Sequence, residues 1–150
     1  MERTLLLVKP DGVQRGLVGT IIQKVERRGL RMIGIKMMSV SAHLAETHYA
    51  IHKGKTFYDG LIDYITSAPV VALAWQGNQA IAVVRQVLGS TDPTTAEAGT
   101  IRGDYGIDIG RNLTHGSDSV KNGMIEINLW FKPDELIEWK RSGEEWIFEL

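Results

Sequence analysis

The 150-residue chain has no cysteine. Disulfides, thiolate metal sites and a cysteine nucleophile are therefore excluded. Long apolar runs are also missing, and none approaches the roughly 18–20 residues that a membrane-spanning helix needs. The N-terminus turns acidic at Glu2, and its apolar run from Leu5 to Val8 is too short for a signal peptide. A cytoplasmic protein with no membrane role is expected. Nor is there a surplus of either charge, since 17 Lys and Arg face 18 Asp and Glu for a net charge of −1. That balance argues against a bulk electrostatic grip on nucleic acid or an anionic membrane, but it leaves room for a local basic pocket. The length predicts one domain, residues 1–150, large enough to bury roughly 70% of its unfolded surface.

What the chain has in excess is glycine. Its 16 glycines exceed the average of about 7% of residues. Six of them, Gly89, Gly99, Gly103, Gly106, Gly110 and Gly116, fall between Gly89 and Asp118. Glycine relaxes backbone limits and lets a backbone approach a ligand closely.

Thr4–Val8 is almost wholly apolar and ends at Lys9-Pro10-Asp11-Gly12, which reads as a buried strand and a turn. Leu17, Val18, Ile21, Ile22 and Val25 recur at helical spacing, with Gly29 as a stop. Leu30–Val40 reads as a second strand, and Ser41 as the cap of a short helix to about Tyr49. A further helix starts near Asp59 and ends at Pro69. Val70–Trp75 reads as a strand, Gln76-Gly77-Asn78 as a turn, and Ala80–Leu88 as a helix that Gly89 ends. Ser90 to about Arg111 has no convincing periodicity. Its apolar Ile101, Tyr105, Ile107 and Ile109 favour an ordered, functional loop. Asn112–His115 reads as a short strand, Ser119–Phe131 as a helix, and Lys132-Pro133-Asp134 as the start of a short C-terminal helix. The tail from Glu144 is aromatic and apolar enough to dock. This order predicts a ferredoxin-like βαββαβ sandwich of the α/β (α+β) class, with a four-stranded antiparallel sheet and helices on one face.

Several motifs fail on inspection. Gly54-Lys55-Thr56 resembles the end of a phosphate-binding loop, but Tyr49 stands where that loop needs its first glycine, and no strand precedes it. Gly12 to Gly19 misses the dinucleotide-binding spacing. His48 and His52 are four apart, but Tyr49 replaces the glutamate that would follow the first histidine of a zinc-helix motif. They read as a solvated surface pair.

The densest polar cluster is Asn112-Leu113-Thr114-His115-Gly116-Ser117-Asp118-Ser119. A serine hydrolase triad from His115, Ser117 and Asp118 lacks the G-x-S-x-G elbow, and its members stand too close together in sequence. Two readings of His115 remain open. It is a covalent nucleophile, because histidine with an ordinary pKa near ~6.5 keeps a free ring lone pair at neutral pH and the helix that follows favours an anion at its N-terminus. Alternatively, it is a satisfied histidine beside a helix cap. Lys9 at a strand end, Arg85 on a helix and Arg102 in the glycine-rich loop are cations that such a fold can bring to one cleft.

With those residues in view, the chain resembles the nucleoside diphosphate kinase family. Asn112–Ser119 matches its N-x-x-H-G-S-D-S signature, and Lys9–Gly16 resembles its N-terminal motif. His48-Tyr49, Phe57-Tyr58, Pro69–Ala72, Gly99–Asp104 and Leu129–Pro133 follow in family order and spacing. The resemblance implies transfer of the γ-phosphate of a nucleoside triphosphate, mainly ATP, to a nucleoside diphosphate with Mg²⁺, by a ping-pong route through a phosphohistidine. It implies His115 as nucleophile, Glu126 as its orienting partner and Ser117 as a support. Lys9, Tyr49, Arg85, Thr91, Arg102 and Asn112 would hold phosphates and ribose, and Phe57 would stack on the base. Mg²⁺ would ride mainly on the nucleotide phosphates. A homohexamer is implied by the extended tail Glu145–Glu149, with a tetramer second. The alternative is a non-catalytic nucleotide-binding module on the same fold. The chain departs from the family pattern at Lys55-Thr56, at Ala98 and at Gln76, none of which touches the expected nucleophile or its phosphate ligands.

Overall fold

The computed structural model describes residues 1–149. Its sheet has the order β2-β3-β1-β4, with every pairing antiparallel. The strands are β1 (Glu2–Val8), β2 (Arg31–Met38), β3 (Val70–Gly77) and β4 (Thr114–Gly116). The principal helices are α1 (Pro10–Gln14), α2 (Val18–Arg27), α3 (Ala42–His48), α4 (Tyr58–Ile65), α5 (Ala80–Leu88), α6 (Ile101–Tyr105) and α7 (Val120–Trp130). This is the expected ferredoxin-like βαββαβ arrangement.

Helices cover both faces of the sheet rather than the expected one. Leu6 and Val8 of β1 pack with Ile21 and Val25 of α2 and Val84 and Leu88 of α5. Leu5 and Leu7 point the other way, toward Ala45 of α3, Ile65 of α4, and Ile127 and Trp130 of α7. A strand buried on both faces cannot alternate apolar with polar residues, so the solid apolar run of β1 is itself the sign of a two-sided core. Burying such a side chain stabilises the fold by roughly 1.5–3 kcal/mol.

Other differences are local. Lys9–Gly12 is not a simple turn. Pro10 opens α1, where its missing N–H costs nothing. The 90–111 segment contains a 3₁₀ turn (Pro93–Thr95) and α6. Helix α6 starts at Thr100, whose hydroxyl accepts the Gly103 N–H at 3.0 Å, and five residues are too few to show a period. Ile101 is fully buried, whereas Ile107 and Ile109 are exposed. A Cβ at Gly103 would lie 1.9 Å from the Glu97 carbonyl oxygen, so this glycine serves loop packing. Likewise, a Cβ at Gly116 would lie 3.0 Å from Leu88 and 3.3 Å from Val84, so this glycine lets α5 approach β4 rather than a ligand. Asn112 and Leu113 stay outside β4, because Leu113 takes a left-handed φ of 73°. After α7 comes a 3₁₀ turn, Pro133–Glu135, in place of the expected C-terminal helix. The tail docks through polar groups. Arg141 donates to the carbonyls of Gly29 and Leu30, and buried Glu144 faces Arg31 at 3.5 Å, while Trp146 is exposed.

Candidate active site

The C-terminal end of β1, the short β4 and the segment leading into it meet at one edge of the sheet. β4 carries His115 opposite Leu7. The His115 Nε2 lies 3.0 and 3.1 Å from the two carboxylate oxygens of Glu126 on α7. An ionised carboxylate can only accept, so Nε2 carries the proton and the Nδ1 lone pair is left available. Ser117 is buried and fixes this arrangement from the sheet side. Its hydroxyl donates to Glu126 at 2.5 Å and accepts the Leu5 N–H at 3.1 Å. Burial pushes the Glu126 carboxyl up, but its hydrogen bonds from His115 and Ser117 outweigh that and hold its pKa below the ordinary value. Because Ser117 is spent on Glu126, and Asp118 accepts from Asn122, these two residues build no hydrolase triad with His115.

His48 is not on the surface. Its side chain is 2% exposed. Its ring meets His115 edge-on at 4.7 Å and Trp130 at 5.3 Å, and its Nδ1 accepts the Trp130 indole N–H at 3.1 Å. Burial, helped by His115, pushes its pKa down to about 3, so it stays neutral. The expected surface pair is therefore split, with His48 forming a wall behind His115 while His52 sits against Tyr49 and Phe57. A helical i, i+4 pattern cannot report this, because α3 ends at His48 and the chain turns away before His52.

The buried cations lie on the other side. The Lys9 ammonium donates to the Asn112 side-chain oxygen, and the Asn112 amide donates to the Thr91 carbonyl at 3.0 Å. Burial lowers the Lys9 pKa to about 8 against the opposing pull of Asp11, with Arg102 and Arg111 adding to the decrease. Arg102, on α6, donates to the carbonyls of Asn112 (3.1 Å), Gly89 (2.9 Å) and Thr114 (2.7 Å). It thereby clamps α5's end, the loop and β4 together, and keeps two of its five N–H groups for other partners. Burial and the neighbouring Arg85 lower its pKa to about 10.

Arg85 and Thr91 are exposed. With Arg102, Gly116, Asp118, Ser119 and Val120 they line a cleft of about 1140 Å³. His115, Lys9 and Asn112 lie outside that lining. Ser119 caps α7 by accepting the Asn122 N–H at 3.0 Å, so the helix end is partly satisfied internally. The Asp118 carboxylate makes its part of the cleft less favourable for an anion than the part beside Arg85 and Arg102. Tyr49 is half-buried, and burial with Glu126 raises its pKa to about 12, which keeps its hydroxyl protonated. Phe57 is half-exposed, edge-on to His52 at 5.3 Å, with the Lys55 ammonium over its ring. The structure thus joins His115, Glu126 and Ser117 in one hydrogen-bonded set and Lys9, Asn112 and Arg102 in a second, which reaches β4 through the Thr114 carbonyl. Thr91 joins the second set through its backbone carbonyl alone, while Arg85, Tyr49 and Phe57 stand around both sets without joining them. Sequence reasoning missed His48, Tyr64 and Arg111. The Arg111 guanidinium lies over the Tyr64 ring at 4.3 Å, a contact between distant residues that no local pattern encodes.

Among the described residues, His48, His115 and Glu126 are the group whose donor atoms lie close enough to hold a metal, within 4.8 Å of one another. Two imidazoles, one already accepting from Trp130, do not suit Mg²⁺, which prefers oxygen ligands and retained waters. No helix among those residues is long and apolar enough to cross a membrane.

The profile of the family described as nucleoside diphosphate kinase matches residues 2–136. A nucleoside diphosphate kinase of Carboxydothermus hydrogenoformans is 54% identical over 99% of this chain and 100% of its own length. One of Acaryochloris marina is 56% identical over the same shares. Among solved structures, a halophilic nucleoside diphosphate kinase from Halobacterium salinarum in complex with CDP is 51% identical, covers 99% of both chains and superposes with a TM-score of 0.96. A family protein from Babesia bovis is 42% identical over 99% of this chain and 100% of its own, with a TM-score of 0.97. The chain belongs to the nucleoside diphosphate kinase family of phosphotransferases.

Proposed function

We propose that the protein moves the γ-phosphate of a nucleoside triphosphate, chiefly ATP, to a nucleoside diphosphate, and that His115 carries the group between them. The observation that carries this reading is the bond between His115 Nε2 and Glu126, which leaves Nδ1 as the reactive nitrogen. The Nδ1 lone pair attacks the γ-phosphorus, the bond from that phosphorus to the bridging oxygen breaks, and the diphosphate leaves with the electrons. Phosphorylation makes the ring cationic, and Glu126 stabilises that cation through the proton it holds at Nε2. An oxygen of the acceptor diphosphate then attacks the phosphorus, and the N–P electrons return to Nδ1. Donor and acceptor are chemically alike and bind in turn, which gives ping-pong kinetics.

Catalysis of this transfer is mainly positioning and charge stabilisation. Lys9 and the two spare N–H groups of Arg102 are the pre-placed cationic donors. Arg85 and Thr91 are exposed and open to phosphate oxygens, Asn112 and Tyr49 face ribose and phosphate, and Phe57 offers a ring on which any base can stack. Mg²⁺, when bound with the nucleotide, would supply charge neutralisation at the phosphates beside Lys9 and Arg102. The protein works in the cytoplasm as a homohexamer, with a tetramer second. The exposed Ile107, Ile109 and Trp146 are surfaces that assembly would cover.

Labelled ATP should give an acid-labile, base-stable phosphoprotein that any nucleoside diphosphate discharges. A His115→Ala protein that is still labelled and active removes the reading, and nucleotide binding without turnover favours the non-catalytic module. Light scattering should give six times the 16.7 kDa chain mass.

A further inference from the structure

Two residues ahead of His115, Leu113 is fully buried and left-handed, with a φ of 73°. L-residues with a Cβ resist that conformation, so it persists only where its surroundings fix it. Both backbone groups of Leu113 are held by the segment just after β1. Its carbonyl accepts the Lys9 N–H at 2.8 Å, and its own N–H donates to the Asp11 carboxylate at 3.0 Å. Asp11 is itself oriented, because the Tyr64 hydroxyl of α4 donates to its other oxygen. Burial, followed by the Asp11 bond, raises the Tyr64 pKa and keeps that hydroxyl a donor. Arg111 lies over the Tyr64 ring at 4.3 Å, and the Lys9 ammonium lies 5.7 Å from its centre. A side chain at residue 11 thus reaches residue 113, and a helix on the far side of the site backs it.

We propose that Asp11, oriented by Tyr64, is a positioning residue for phosphoryl transfer. By capturing the Leu113 N–H it locks the left-handed turn that sets where β4 begins, and so where His115 Nδ1 lies. Asn112 is held separately by Thr91 and Arg102, so loss of the Asp11 bond displaces the nucleophile more than the nucleotide. The proposal rests on His115 being the phosphorylated residue.

The test is steady-state and single-turnover kinetics on Asp11→Ala, Asp11→Asn and Tyr64→Phe, with hydrogen exchange at the Leu113 amide. Asp11→Ala should lower kcat and the rate of His115 phosphorylation about tenfold or more, with KM changing less than about twofold. Asp11→Asn keeps an oxygen for Leu113 and should recover activity to within about threefold of the parent. Tyr64→Phe should fall between them, with faster exchange at Leu113. If Asp11→Ala does not fold, the other two variants and the exchange rate decide. Parental kcat together with parental Leu113 protection in Tyr64→Phe overturns the proposal. So does an Asp11→Asn protein as slow as Asp11→Ala, or a loss confined to KM. Failure of the parent protein to become phosphorylated at His115 overturns the functional reading instead, so the two failures are distinguishable.

Discussion

The site has a wall and a rim, and they are built differently. The wall comprises Glu126, Ser117, His48, Lys9, Asn112 and Arg102, all fully or partly buried and held by one another, by backbone or, for His48, by the Trp130 indole. The rim comprises Arg85, Thr91 and Phe57, whose side chains are exposed. Groups satisfied by the protein before the nucleotide arrives need no reorganisation during transfer, which is where catalytic stabilisation is strongest. Groups left in water are available to bind. The wall should therefore govern kcat and stability, and the rim should govern KM.

The largest effect expected is on the wall. His115→Ala removes the nucleophile and should lower kcat on the order of 10⁴-fold or more, measured with ATP and GDP. Glu126→Gln keeps a partner for Nε2 but loses the charge-assisted part of the bond. That part is worth roughly 1–1.5 kcal/mol, or about 5- to 13-fold in kcat at little change in KM.

Arg102→Ala against Arg85→Ala is the sharpest contrast. Removing Arg102 strips donors from three carbonyls and should cost roughly 2–4 kcal/mol of stability by denaturant unfolding. Arg85→Ala should leave stability within about 0.5 kcal/mol and raise KM. Equal stability loss in the two variants would erase the distinction between wall and rim.

The smaller effects concern pH and stacking. Lys9 has a folded pKa of about 8 against an ordinary value of 10.5. Over that window the unfolded chain holds a proton that the folded chain has lost, so this group makes stability rise with pH there. Charge stabilisation during transfer needs the charged form, so kcat should fall as pH passes about 8, and Lys9→Met should lower kcat and flatten that fall. Glu126 has the same sense in a more acidic window. Its lowered pKa contributes stability above the ordinary carboxyl range, and that stability is lost as pH falls through the folded value. Phe57→Ala should weaken nucleotide binding by about 1–3 kcal/mol, seen as a raised KM.

The sequence points to the rim residues, the nucleophile and every wall residue except His48, which it reads as a surface group. β1, α5 and α7 were legible because a buried apolar run, a helical stripe ended by glycine and a serine cap are local signals. The motif around His115 was legible because its residue types are adjacent. His48 was not, since its burial depends on Trp130, 82 positions away. Helix α6 is too short to show a period, and the unbroken apolar run of β1 signals burial on both faces without saying which helices supply it. The bond from Asp11 to Leu113 spans 102 positions, and only the folded chain displays it.

The central claim is that Glu126 occupies Nε2 so that Nδ1 of His115 receives the phosphate. Nitrogen-15 and phosphorus NMR of protein labelled at histidine and incubated with Mg²⁺-ATP tests it directly. A single phosphorus–nitrogen coupling, to Nδ1 of His115, that disappears on adding GDP is the predicted result. Phosphate on Nε2, on another residue, or not discharged by GDP would contradict it.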